Sequence, residues 1–198
     1  MKRPDYQKLS DVIKNSKRIN IVGSSGSGKS TFGKKLSSSV GIPYIEMDEI
    51  FWGPNWYRPE KEEFYAKIEN RITGDSWILD GNYSKSTHVK WKNVQTVIWL
   101  DYPYPRIIFQ TIRRAISRII SQQEMWPGTE NKESFRRAFL SKESIILWSL
   151  SNLTKVRKKY KRLMKDPEYS HINFIRLKSN KHSNKLLENI QPKSSINS

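Results

Sequence analysis

The apolar residues of this chain fall into two alternating periods, and the alternation predicts a sequence of elements. Residues 5–15 set Leu9, Val12 and Ile13 on one side, a helical spacing, whereas residues 18–22 (Arg-Ile-Asn-Ile-Val) form a β-branched run stopping in glycines, as a buried strand does. A helix is predicted over 29–40, closed by Gly41, followed by a second strand over 43–47 that ends at Asp48. Residues 60–72 place Phe64, Ile68 and Ile72 on one helical face. Strands return over 76–79, ending at Asp80-Gly81, and over 96–100, ending at Asp101. In residues 106–121 the spacing of Ile108, Ile112, Ala115, Ile116 and Ile119 predicts a helix with those side chains toward the core. A polar loop around Pro127-Gly128-Thr129 leads into a helical pattern over about 134–165, stopped by Asp166-Pro167. A fifth strand over 172–177 and a helix over 184–190 complete the order, and residues 193–198 are expected to be a disordered tail.

Strands alternating with helices imply an α/β fold, a mostly parallel sheet covered on both faces. Ligands in such sheets gather at the carboxyl ends of the strands, here Gly23, Asp48, Asp80 and Asp101. No internal repeat or linker interrupts the pattern, so residues 1–192 are expected to form one domain.

Composition narrows the chemistry. The 198 residues contain no cysteine, which excludes disulfides and thiolate metal sites, and the three histidines are scattered. The first residues form no apolar leader and no run is long enough to span a bilayer, so the expected location is the cytoplasm and no membrane partner is expected. A net charge of +17 attracts polyanions in general without choosing among them.

One segment is specific. Gly23-Ser24-Ser25-Gly26-Ser27-Gly28-Lys29-Ser30 satisfies G-x-x-x-x-G-K-[ST] between a predicted strand and a predicted helix. Glycines let the backbone turn its N–H groups toward phosphate oxygens, and the helix beginning near Lys29 adds its dipole. On this reading Lys29 neutralises the β- and γ-phosphates of ATP, the Ser30 hydroxyl ligates Mg²⁺, and Thr31 reaches the α-phosphate. A guanine-reading Asn-Lys-x-Asp motif is absent, and the chain is short for a motor ATPase. A kinase for a small acceptor remains.

Leu79-Asp80-Gly81-Asn82-Tyr83 resembles the strand-end Asp-Gly motif of adenylate-kinase-like nucleoside monophosphate kinases. Residues 47–52 (Met-Asp-Glu-Ile-Phe-Trp) and Pro54-Asn55-Trp56, taken with Asp80-Gly81-Asn82-Tyr83-Ser84, resemble more closely the branch filed as topology-modulation or adenylate kinase-related proteins. The resemblance implies a three-layer P-loop NTPase fold with a five-stranded parallel sheet in the order 2-3-1-4-5, a lid, an ATP site and an opposed acceptor cleft. It also implies that Asp80 holds a water of Mg²⁺ and that Asp48 acts on the acceptor or the metal. As a general base Asp48 would take a proton from an acceptor hydroxyl, a role that a phosphate acceptor does not need. Adenylate kinases proper carry Asp-Gly-Phe-Pro-Arg; here Ser84 stands at the arginine position and Lys85 follows. Lysine offers a point charge and no bidentate fork. Trp52, Trp56 and Tyr57 either wall the acceptor pocket or pack beneath a loop.

Phosphoryl transfer spreads negative charge over the moving group, and arginines near a mobile lid commonly stabilise it. Arg114 and Arg118 are neighbours on one helix surface, and Arg136-Arg137 return after the 122–132 loop, so the lid insertion is expected near 119–135 with Arg114, Arg118 and Arg137 catalytic. Residues 155–165, from Lys155 to Lys165, hold seven basic residues and no acid, which allows salt-sensitive, nonspecific nucleic-acid contact or simply a solvated face. The sequence therefore predicts an ATP-dependent small kinase, with a nucleoside monophosphate-like acceptor leading. The alternative is a nucleic-acid-associated ATPase.

Overall fold

The computed structural model describes residues 4–135, 138 and 145–191; Arg137 and the segment 193–198 lie outside the described residues. Helix α1 (Tyr6–Lys14) starts where the Asp5 carboxylate accepts from the Lys8 N–H, and it leads into strand β1 (Arg18–Gly23). Then follow α2 (Lys29–Val40), β2 (Tyr44–Glu46), α3 (Met47–Phe51), α4 (Lys61–Arg71), β3 (Trp77–Asp80) and α5 (Thr87–Lys90). The remainder is β4 (Thr96–Leu100), α6 (Tyr104–Ser121), α7 (Ile145–Leu163), β5 (Asn173–Leu177) and α8 (Asn180–Ile190).

All five strands are parallel, in the order β2-β3-β1-β4-β5. Period-2 alternation splits each strand between two apolar layers. Ile19 and Ile21 of β1 and Ile98 and Leu100 of β4 join Ile13, Phe32, Leu36, Leu186 and Ile190 on one face. Val22, Leu79, Val97 and Trp99 join Phe64, Ile68, Trp77, Trp91 and Tyr160 on the other. Burial on both faces is why these strands are continuous apolar runs in sequence. Helix α7 passes from one layer to the other, with Leu153 in the first and Tyr160 and Leu163 in the second.

Three expectations change. Residues 43–47 do not run as a strand to Asp48: β2 stops at Glu46, and Asp48 lies in the first turn of α3. Helix α8 begins at Asn180, because the Ser179 hydroxyl caps it by accepting from the His182 N–H. The buried ridge of α6 is Ile107, Thr111 and Ala115, whereas Ile116 is 46% and Ile120 77% exposed. At Thr111 the ridge packs directly on the glycine loop after β1, where a Cβ on Gly26 would lie 2.2 Å from Thr111 Oγ1. Among the described residues, no helix is long and apolar enough to cross a membrane.

Candidate active site

The loop from Gly23 to Ser30 leaves β1 at the carboxyl edge of the sheet and enters α2 at Lys29. Gly26 and Gly28 have φ of 77° and 83°, a region costly for any residue with a Cβ. Gly26 also has no room for one, whereas nothing lies within 4 Å of a Cβ on Gly28. One glycine is thus required by packing as well as by conformation, the other by conformation alone. Lys29 Nζ reaches back across the loop to the Ser24 carbonyl at 3.4 Å. Ser27 Oγ is buried without a protein partner, and Thr31 is exposed on the first turn of α2.

Asp80, the last residue of β3, sits beneath this loop and is 3% exposed. Its Oδ2 accepts from the Ser30 hydroxyl and the Tyr44 hydroxyl, each at 2.8 Å, while its Oδ1 is buried without a protein partner. Burial raises the Asp80 pKa against the pull of Lys29. Burial likewise raises Glu46 nearby, reinforced by Asp80 and Asp48, and it holds Tyr44 protonated as a donor. The buried orphan oxygen of Asp80, beside the Ser30 hydroxyl and below a phosphate-shaped loop, fits a hydrated divalent cation. Mg²⁺ favours few carboxylates, retained waters and substrate phosphates, so Ser30 and Asp80 are a sufficient protein contribution.

Asp48 is half-buried and close enough to Asp80 to raise it, with Oδ1 accepting from the Tyr83 hydroxyl at 2.6 Å. Tyr83 is kept well above the usual phenol range by burial and by Asp48, so it remains the donor. On the loop side Arg114 donates to Ser25 Oγ at 2.8 Å. Its burial and the neighbouring Arg118 favour the neutral form, opposed by Asp48, Glu46 and Glu133. The structure therefore sets Asp80 in contact with Ser30 and within electrostatic reach of Lys29 and Asp48, and Arg114 within electrostatic reach of Asp48, with Arg118 a turn further along α6. The expected Arg137 lies outside the described residues. Ser84 and Lys85 are exposed in a short turn after β3.

The loop after α6 folds back on itself, with the Met125 N–H on the Asn131 carbonyl and a bridge between Glu124 and Lys132. Trp126 is buried and stacks on Trp52, centroids 5.7 Å apart and planes 14° from parallel, with Trp56 edge-on to both. The Asn131 side chain accepts from the Trp56 N–H at 2.8 Å and donates to the Gly53 carbonyl at 2.9 Å. Packing is thus the reading the structure supports for Trp52 and Trp56, and their partner is the 122–132 loop. Nothing in the local pattern around Trp126 or Asn131 announces this pairing.

Two further arrangements escape sequence reasoning. Asp101 receives Arg157 Nε at 2.6 Å and Arg176 Nε at 2.8 Å, so this strand-end acid anchors α7 and β5. Within residues 155–165, Arg157 is thus used internally, Tyr160 and Leu163 are buried, and burial lowers Lys159 to about 8. The outward basic side chains are Lys155, Lys158, Lys161, Arg162 and Lys165. Lys90 is fully buried, donating to the carbonyls of Gly81 (2.9 Å) and Asn82.

No family model matches the chain. Shikimate kinase from Synechococcus elongatus is 28% identical over 102 residues, covering 44% of this chain and 54% of that protein. Shikimate kinase from a second Synechococcus strain aligns with the same figures. The chain thus spans about half the length of the curated relatives it matches. Among solved structures, the shikimate kinase of Acinetobacter baumannii in complex with shikimate superposes with a TM-score of 0.52 over 91% of this chain and 94% of that one, at 18% identity. The chain shares the fold of that shikimate kinase structure. Its five-stranded parallel sheet has the expected 2-3-1-4-5 order.

Proposed function

We propose that this chain is an ATP-dependent phosphotransferase that moves the γ-phosphoryl group to a hydroxyl of a small acceptor. The observation that carries the reading is the convergence of Lys29, the Ser30–Asp80 pair and Asp48 around one glycine loop. The partial similarity to shikimate kinases supports it.

In this reading the backbone of residues 23–30 binds the triphosphate, with Lys29 on its terminal oxygens. Ser30 and Asp80 would hold Mg²⁺, which would supply charge neutralisation to the nucleotide phosphates. Asp48, oriented by Tyr83, takes the proton as the acceptor oxygen bonds to the γ-phosphorus and the bond to ADP breaks. Arg114 and Arg118 face the charge that spreads over the transferring group, and Thr31 and Arg137 complete the proposed set.

A nucleoside monophosphate acceptor, as in the adenylate kinase-related and topology-modulation branch, is the second reading, favoured by the exposed Lys85 beside Ser84. Nucleic-acid association has less support, since Arg157 and Lys159 of the basic helix serve the interior. Asp48→Asn separates the two acceptors. Turnover with a hydroxyl acceptor should fall roughly 10²-fold or more while nucleotide affinity is kept, whereas a phosphate acceptor loses little. Equal activity of variant and wild type on hydroxyl acceptors would overturn the general-base role.

A further inference from the structure

The chain leaves the sheet directly after β3. Gly81, with φ of 152°, still donates its N–H to the Ile21 carbonyl at 3.1 Å, and a Cβ there would lie 2.7 Å from the Met47 side chain. The β1–β3 ladder ought to end at this point, leaving Gly23 without a partner on the β3 side. The Asn82 side chain takes over instead. Its Oδ1 accepts from the Gly23 N–H at 3.0 Å and its Nδ2 donates to the Gly23 carbonyl at 2.7 Å. A carboxamide carries one acceptor and a donor in the same plane, as a peptide does, so it extends the ladder by one rung.

Asn82 is itself braced from two sides. Lys90, fully buried, fixes the backbone carbonyls of Gly81 and Asn82, and the buried Tyr160 of α7 donates to Asn82 Oδ1 at 3.2 Å. The rung joins the first residue of the phosphate loop to the strand end that carries Asp80, two residues earlier. Gly23 also cannot be replaced: a Cβ there would meet the Leu100 carbonyl at 2.7 Å. The loop start is therefore located by backbone groups, and Asn82 supplies one side of that location.

We propose that Asn82 is a positioning residue for the phosphate loop, setting its register against Asp80, with Lys90 and Tyr160 holding Asn82 in place. The inference rests on the reading that residues 23–30 bind a nucleotide. It adds that their affinity depends on a side chain that need not touch the nucleotide.

The test is titration of wild type and Asn82→Ala with a fluorescent ATP analogue and Mg²⁺, alongside acceptor kinetics and thermal melts. Asn82→Ala should lose about tenfold in nucleotide affinity, the effect of losing two hydrogen bonds to one backbone unit, with the acceptor KM within about twofold. Asn82→Asp sets a carboxylate oxygen against the Gly23 carbonyl in place of the donor, so it should lose at least as much affinity as alanine. Wild type that fails to bind the analogue refutes the nucleotide reading. Wild-type binding matched by Asn82→Ala refutes the positioning role alone, as does an affinity loss that only follows the fraction unfolded. Should the alanine variant not fold, amide exchange in nucleotide-free wild type decides: the Gly23 N–H must be protected, and rapid exchange there contradicts the rung.

Discussion

Replacing Asn131 by alanine tests whether the 122–132 loop and the 52–57 loop are one mechanical unit. Asn131 is 2% exposed, and its carboxamide makes both cross-loop hydrogen bonds, from the Trp56 N–H and to the Gly53 carbonyl. Each bond contributes a net ~1 kcal/mol, and a buried group left unpaired costs ~1–3 kcal/mol. The segment it holds is strained, since Asn55 and Trp56 both have positive φ (53° and 60°). Such residues cost ~1–3 kcal/mol each and persist only while their surroundings impose them. The Trp52–Trp126 stack survives in the variant and retains ~1 kcal/mol. The latch should therefore weaken by about 2–4 kcal/mol, bounded by the free energy of opening the loop into water. Hydrogen exchange at the Trp56 N–H reads this directly: Asn131→Ala should speed it by about 30- to 1000-fold, at ~1.4 kcal/mol per decade. Amides of β1 should be unchanged. Exchange at Trp56 equal to wild type in a folded variant would refute the latch.

The glycine loop and the basic helix give two more tests. Gly26→Ala forces a Cβ onto Thr111 Oγ1 and the Ile107 carbonyl, so it should cost about 1–3 kcal/mol of stability and weaken nucleotide binding. Gly28→Ala meets no neighbour and should cost about 1–2 kcal/mol from φ alone; adding Thr111→Ala should restore part of the first loss and none of the second, in denaturant titrations. Lys159, lowered to about 8 by burial, releases its proton more readily in the folded than in the unfolded chain. The Lys159 contribution to stability should accordingly rise as pH climbs from about 8 toward the free-lysine value of about 10.5, where the unfolded chain alone holds the proton. Lys159→Met removes that dependence, so the gap between variant and wild type should narrow across the window; a constant gap would contradict the assignment.

What the sequence disclosed follows from how local each cause is. Strands β1, β3 and β4 are apolar on both faces, so their runs are visible without partners. The glycine loop was legible because its glycines are required by the loop itself, and Asp80 because strand ends face such a loop, where its Oδ2 accepts from the Ser30 hydroxyl. The five-residue α3 was hidden by its brevity, which displaced Asp48 from strand end to helix turn. Isoleucine periodicity placed Ala115 and Ile108 of α6 correctly toward the core but not Ile116, which is exposed, and it missed the buried Ile107 and Thr111 beside Gly26. The Asn82 rung, the buried Lys90, the Trp52–Trp126 stack and the two arginines on Asp101 join residues far apart in the chain, where periodicity carries no signal.

Phosphorus NMR of the reaction tests phosphoryl transfer to a small acceptor most directly. Wild type incubated with ATP, Mg²⁺ and a panel of hydroxy acids, sugar acids and nucleoside monophosphates should produce, with one acceptor class, a new phosphorylated-acceptor resonance matching the ADP formed. Lys29→Ala should produce none. Inorganic phosphate as the sole product, or equal product from Lys29→Ala, would contradict the account.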